Sequence, residues 1–178
     1  MQTEITVRHA EVEDLPAITE IYNEAILTTT ATFDTEPKEL SERQKWFESH
    51  GERHPVIVAV VDGKVAGWSS LSKWSDRCAY DGTAETTFYV KSEYRGIGIG
   101  RRLKAEIIGQ ARRLGFHSLI ARVAEGSHAS LHLNQEFGFE MIGTLRQVGR
   151  KFGRLLDVHI LQKMLNAEEG DSVAANGQ

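Results

Sequence analysis

The chain has 178 residues, 40% hydrophobic and 26% charged, with a formal net charge of −4 at pH 7. This suits one compact domain with a real core and excludes a disordered or fibrous chain, while the mildly acidic balance argues against broad contact with nucleic acid. One cysteine, Cys78, rules out an intrachain disulfide. The opening MQTEITVRHAEVED has neither a basic n-region nor an apolar h-region, and the longest apolar run, Val56 to Val61, is too short to cross a bilayer. A cytoplasmic protein is expected, with neither nucleic acid nor membrane as partner.

In chain order, residues 4–9 make a short strand, and Asp14 opens a helix with a continuous apolar face at Leu15, Ile18, Ile21, Tyr22, Ala25 and Ile26. TTTATFDTEP (28–37) is a loop, followed by a weaker helix over about 38–49. PVIVAVV (55–61) and 64–71 are strands joined by Asp62-Gly63, the strongest hairpin signal in the chain. After a polar loop comes the strand TAETTFYV (83–90), then a glycine-rich loop and a helix stopped by Gly115. SLIARVA (118–124) is a buried strand, 128–137 a short helix, and 139–147 and 155–164 two strands turning at Gly153. This order predicts an α/β (α+β mixed sheet) domain over 1–165, with helices on both faces of a central mixed, mainly antiparallel sheet. The stretch 166–178 reads as a frayed tail.

The stretch EYRGIGIGRRL (93–103) places Gly96, Gly98 and Gly100 at a strand-to-helix junction, followed by Arg101 and Arg102. It lacks the third glycine of a dinucleotide fingerprint and the Gly-Lys-Ser/Thr of a P-loop. A plain glycine-rich turn would require no ligand. Bare backbone before a helix N-terminus also makes an anion cradle. Two cations there oppose the helix dipole by about 0.3–1 kcal/mol each, which makes sense chiefly beside an anion such as a pyrophosphate.

Arg95-x-x-Gly98-x-Gly100, between a β-prone strand and an amphipathic helix, resembles the acetyl-CoA signature of the GNAT superfamily of N-acetyltransferases. TATFDTEP (30–37), AYDGTAETTFYV (79–90) and GRKFGRLLDV (149–158) resemble its phosphinothricin N-acetyltransferase branch. The likeness runs from Val7 to about Leu161. It implies a GNAT-like fold, acetyl-CoA as cosubstrate, no metal, and direct acetyl transfer to the α-amino group of a small amino acid or glutamate-like toxin. It also implies a homodimer.

Residue by residue, the resemblance gives the pantetheine arm to Phe88, Tyr89 and Val90. The pyrophosphate goes to the loop Arg95, Gly96, Ile97, Gly98, Ile99, Gly100 and Arg101, with further contacts from Ser127 and Ser130. Glu85 matches the general base that must take a proton from the acceptor ammonium. Phe33, Arg77 and Tyr80 fall at the acceptor pocket, where Arg77 would grip an anionic group, and Trp74, otherwise a packing residue, lies near it. Ser75 stands where the branch carries a second basic residue. Asn134 occupies the place of a His or Tyr that protonates the leaving thiolate, so Asn134 is expected to steady that thiolate by hydrogen bonding while water or Tyr80 returns the proton.

His128 and His132 have the i, i+4 spacing of zinc ligands but no evident third ligand. Cys78 has no partnered base, and Trp46 and Trp68 read as packing residues. Two other functions stay open: acetylation of protein N-termini or lysines, and a CoA-binding module without catalysis.

Overall fold

The computed structural model describes residues 4–165, so the tail expected at 166–178 lies outside the described residues. The first elements are β1 (Ile5–His9), α1 (Leu15–Thr28), α2 (Leu40–Glu48), β2 (Val56–Val61), β3 (Lys64–Lys73) and β4 (Thr83–Val90). They are followed by α3 (Ile99–Arg113), β5 (Ser118–Ala124), α4 (His128–Glu136), β6 (Glu140–Lys151) and β7 (Arg154–Met164). Asp14 belongs to a 3-10 turn ahead of α1 rather than to the helix. Its carboxylate accepts from the Glu11 amide at 2.8 Å and from Arg8 at 2.6 and 2.9 Å, and Pro16 then occupies the first turn of α1. The last hairpin is longer than expected. β6 runs on to Lys151 through two irregularities in its register with β7, between Met141 and Gly143 and between Leu145 and Gly149.

The sheet order is β1-β2-β3-β4-β5-β7-β6, and every neighbouring pair is antiparallel except β4 with β5. The Asp62-Gly63 turn has φ of +48° and +77°, the doubly left-handed geometry that a two-residue hairpin needs. Alternation along β2 divides the core. Ile57, Ala59 and Val61 join Leu103, Ile107 and Ala111 of α3, while Val56 and Val58 pack with Ile18 and Ile21 of α1 and with Trp68. Helices therefore cover both faces.

One break in this sheet positions the site. β4 and β5 pair only from Thr83 with Ser118 to Glu85 with Ile120. Beyond Glu85, β4 stays paired to β3 and β5 to β7. The two strands part between them, and a cleft opens with Thr86–Val90 on one wall and residues 121–124 on the other. Backbone groups of β4 that would bond β5 in a closed sheet face this cleft instead.

Candidate active site

The cleft has a volume of about 670 Å³ and is lined by Phe88, Tyr89, Val90, Arg95, Gly96, Gly100, Ser127, Ser130 and Asn134 among others. The loop leading into α3 takes φ of +82° at Gly96 and +93° at Gly98, a region that glycine enters without strain. Gly98 is the N-cap of α3, so no side chain there answers the first-turn N–H groups. Gly100 allows close packing: a Cβ there would lie 3.3 Å from Leu133 and 3.4 Å from Phe88. A groove edged by open strand backbone and ending at glycine amides and a helix N-terminus fits an extended amide-bearing arm joined to a pyrophosphate.

Several loop residues contribute less than their motif suggests. Ile99 is buried in the core, Ile97 is exposed, and neither they nor Gly98 and Arg101 line the cleft. Arg101 pairs with both carboxylate oxygens of Glu136 on α4 at 2.8 and 3.0 Å, and Arg102 donates to the Ile5 carbonyl at 3.1 Å. The basic pair therefore already has protein partners, and its charge does not by itself demand an anion. Asn134 is buried on the cleft wall; its Nδ2 donates to the Ser130 carbonyl at 2.8 Å while Oδ1 has no partner.

A second cavity of about 670 Å³ shares Thr30, Ala31, Thr87, Tyr89, Arg122 and Ala124 with the first. Glu85 lies in its wall, 8% exposed, at the point where β4 and β5 separate. Arg122 holds both carboxylate oxygens: Nε donates to Oε1 at 2.6 Å and Nη2 to Oε2 at 2.7 Å. Those bonds raise the Arg122 pKa above its ordinary value, so the guanidinium stays charged. Sequence reading missed Arg122, because the run SLIARVA signals a buried strand and nothing local in it points to Glu85.

Arg43 was missed as well. It is 5% exposed and lies 3.7 Å from the Trp46 ring centroid, 4.7 Å from Tyr22 and 5.3 Å from Trp68. Its Nε and Nη2 have no hydrogen-bond partner, and burial lowers its pKa to about 10. The one local hint was the i, i+3 spacing of Arg43 and Trp46 on α2. Trp46 and Trp68 pack as expected but also line this cavity. Tyr22 donates to Asp34 at 2.7 Å and shares a hydrogen bond with Thr32, and burial pushes its phenol up to about 12. Burial also moves the Tyr89 phenol well above the usual range.

The loop between α1 and α2 lines one side of this cavity and is fastened along its length. Thr30 donates to the Glu125 carbonyl at 3.2 Å, buried Lys151 donates to the Thr32 carbonyl at 2.8 Å, and Lys38 exchanges hydrogen bonds with Asn23. Phe33 lies against Gly149 of β6, a place that a side chain at 149 would fill. Phe33 thus lines the cavity, whereas Trp74, Arg77 and Tyr80 line neither one. Arg77 and Tyr80 are exposed, Tyr80 closing a 3-10 turn that begins at Cys78. His132 approaches Glu136 at 3.5 Å, and no group of His, Cys, Asp and Glu among the described residues could hold a metal ion.

A parted sheet with a glycine loop and a helix start at the end of one cleft, and a buried carboxylate in an adjoining cavity, suits a two-substrate transferase that draws its group from a phosphorylated carrier. Residues 18–139 match the Acetyltransferase (GNAT) family, and the chain belongs to it. It is 39% identical over 163 residues to the L-methionine sulfoximine/L-methionine sulfone acetyltransferase of Pseudomonas aeruginosa, covering 90% of this chain and 95% of that one. It is 38% identical over 159 residues to a phosphinothricin N-acetyltransferase of Streptomyces coelicolor, covering 87% and 93%. A GNAT superfamily phosphinothricin acetyltransferase from Sinorhizobium meliloti, solved in complex with acetyl-CoA, superposes with a TM-score of 0.88 at 35% identity over 92% of this chain and 89% of that one. The protein is an acetyltransferase that uses acetyl-CoA.

Proposed function

We propose that this enzyme acetylates the α-amino group of a small amino acid or amino-acid analogue, of the kind represented by methionine sulfoximine and phosphinothricin, with Glu85 as general base. The observation that carries the proposal is the position of Glu85. Its carboxylate lies in the acceptor cavity beside the residues shared with the cofactor cleft, where an amine must lose its proton. Acetyl-CoA supplies an acetyl group activated as a thioester. Phe88, Tyr89 and Val90 would hold its arm, and the loop at Arg95, Gly96 and Gly100, at the end of the cleft, would hold its pyrophosphate. Ser127 and Ser130 would add polar contacts.

Glu85 takes the ammonium proton directly or through a water, leaving the nitrogen lone pair free to attack. Asn134 Nδ2 carries two hydrogens, one of them bonded to Ser130, so the other is available to a developing thiolate. Tyr80 stands outside both cavities, which leaves water to return the proton. Arg43 takes over the anion-gripping role expected of Arg77, since it is the buried cation of the cavity and has unpaired donors. Two cations, Arg43 and Arg122, suit an acceptor with a carboxylate and a second oxygen-rich group. The fastened loop, held by Glu125, Lys151 and Asn23, narrows the cavity on the side of Phe33, which favours such a small acceptor over a polypeptide.

We further propose a cytoplasmic homodimer. The exposed residues Met141, Ile142 and Met164 on the last two strands supply apolar surface for a second copy.

The test is CoA release with a panel of free amino acids, methionine sulfoximine, phosphinothricin and a peptide with a free N-terminus. Turnover of the free amino acids or analogues, and little of the peptide, is expected. Glu85→Gln should lower kcat by roughly 10²–10⁴-fold, with partial recovery at high pH as free amine accumulates. Preference for the peptide, or full activity of Glu85→Gln at neutral pH, would overturn the corresponding part.

A further inference from the structure

We infer that the Glu85–Arg122 pair is a receptor for a zwitterion, and that Arg122 makes the enzyme specific for acceptors carrying a free carboxylate beside the amine. The inference rests on the reading of Glu85 as base and extends it to the way the base becomes available.

Both oxygens of Glu85 accept from one guanidinium, at 2.6 and 2.7 Å. Glu85 faces the acceptor cavity, and Arg122 lines that cavity and the cofactor cleft alike. The side chain of Arg122 is 55% exposed and that of Glu85 is 11% exposed. The cation is thus the accessible half of the pair, and it covers the anion behind it. The cause is the divergence of the sheet. Arg122 lies two residues beyond Ile120, the last residue of β5 paired to β4. Its side chain therefore spans a gap that an intact sheet would close. A simple amine meets a carboxylate whose two oxygens are already hydrogen-bonded.

An α-amino acid carries its ammonium and carboxylate on one carbon and so presents the complementary pair of charges. Its carboxylate can accept the guanidinium fork while its ammonium donates to Glu85, converting one ion pair into a ring of four alternating charges. In that arrangement at least one Glu85 oxygen exchanges Arg122 for the ammonium and can take its proton. The N-acetylated product has a neutral nitrogen, so the ring is broken; Glu85 gives the proton it took to water, becomes a carboxylate again and recovers Arg122 as the product leaves.

The experiment compares methionine sulfone with methionine sulfone carboxamide, which keeps the amine and side chain but lacks the carboxylate. In the wild-type enzyme kcat/KM should favour the acid by roughly 10- to 150-fold, the worth of one charge-assisted contact. Arg122→Leu should remove most of that preference, raising KM for the acid and raising turnover of the amide now that Glu85 stands free. Arg122→Lys should restore the preference in part, having the charge without the fork. Unchanged thermal unfolding of the variants separates these effects from loss of fold. Equal use of acid and amide by the wild type, or an Arg122→Leu enzyme with wild-type KM for the acid, overturns the zwitterion receptor alone. Failure to acetylate any free amino acid overturns the proposed function, and this inference with it.

Discussion

Lys104 is the most unusual single residue of the fold. It is fully buried on α3 with no hydrogen-bond partner for its amine, which lies 4.0 Å from the ring centroid of Phe139. Desolvation lowers its pKa to about 7 from an ordinary 10.5. Between those two values the unfolded chain binds a proton that the folded chain does not, so this residue makes stability rise with pH across that window. Below pH 7 the folded amine is charged too, and the penalty is at its full value. Each unit of depression corresponds to about 1.4 kcal/mol. Lys104→Met should therefore stabilise the protein at pH 7 and flatten the rise of stability between pH 7 and 10. Denaturant melts of both proteins at several pH values measure this, and parallel pH profiles would show that the amine carries no such penalty.

At the scale of elements, the decisive ones are the two loops that line the cleft and the adjoining cavity. The glycine loop depends on backbone conformation rather than on free space. A Cβ at Gly98 would meet nothing within 4 Å, yet the φ of +93° is strained for any L side chain. Gly98→Val should thus distort the amides ahead of α3, weaken acetyl-CoA binding by at least tenfold in calorimetry, and leave the core packing of Leu103 and Ile107 intact. An unchanged dissociation constant would remove this loop from the cofactor site. The loop between α1 and α2 works differently, through side chains. Lys151 bonds Thr32 and Gly149 makes room for Phe33, so the last hairpin helps to shape the cavity that holds Glu85 although it lies far along the chain.

At the scale of the whole molecule, β6 forms one edge of the sheet, opposite β1, and a long strand there offers unpaired backbone beside exposed Met141 and Ile142. A twofold partner would cover both. Light scattering at micromolar concentration should give twice the chain mass, and Ile142→Glu should shift the protein toward the monomer with its fold retained. Wild-type protein of single-chain mass would overturn the dimer. No helix among the described residues is long and apolar enough to cross a membrane.

The amino-acid sequence by itself determined the elements, their order and the position of the glycine loop. Those features rest on local signals: a hairpin dipeptide at Asp62-Gly63, a helical apolar face from Leu15 to Ile26, and the spacing of Gly96, Gly98 and Gly100. It placed Glu85 on the correct strand, and the stretch TTTATFDTEP in a loop. Only the tertiary structure showed that β4 and β5 separate just after Glu85, because strand pairing between residues more than thirty positions apart leaves no local trace. For the same reason the partners of the charged groups were illegible: Arg122 for Glu85, Glu136 for Arg101, the aromatic ring of Tyr22, Trp46 and Trp68 for Arg43. The sequence names an arginine and its backbone setting. Whether that arginine grips a substrate, holds a base or answers a glutamate is decided by which distant side chain the fold brings to it.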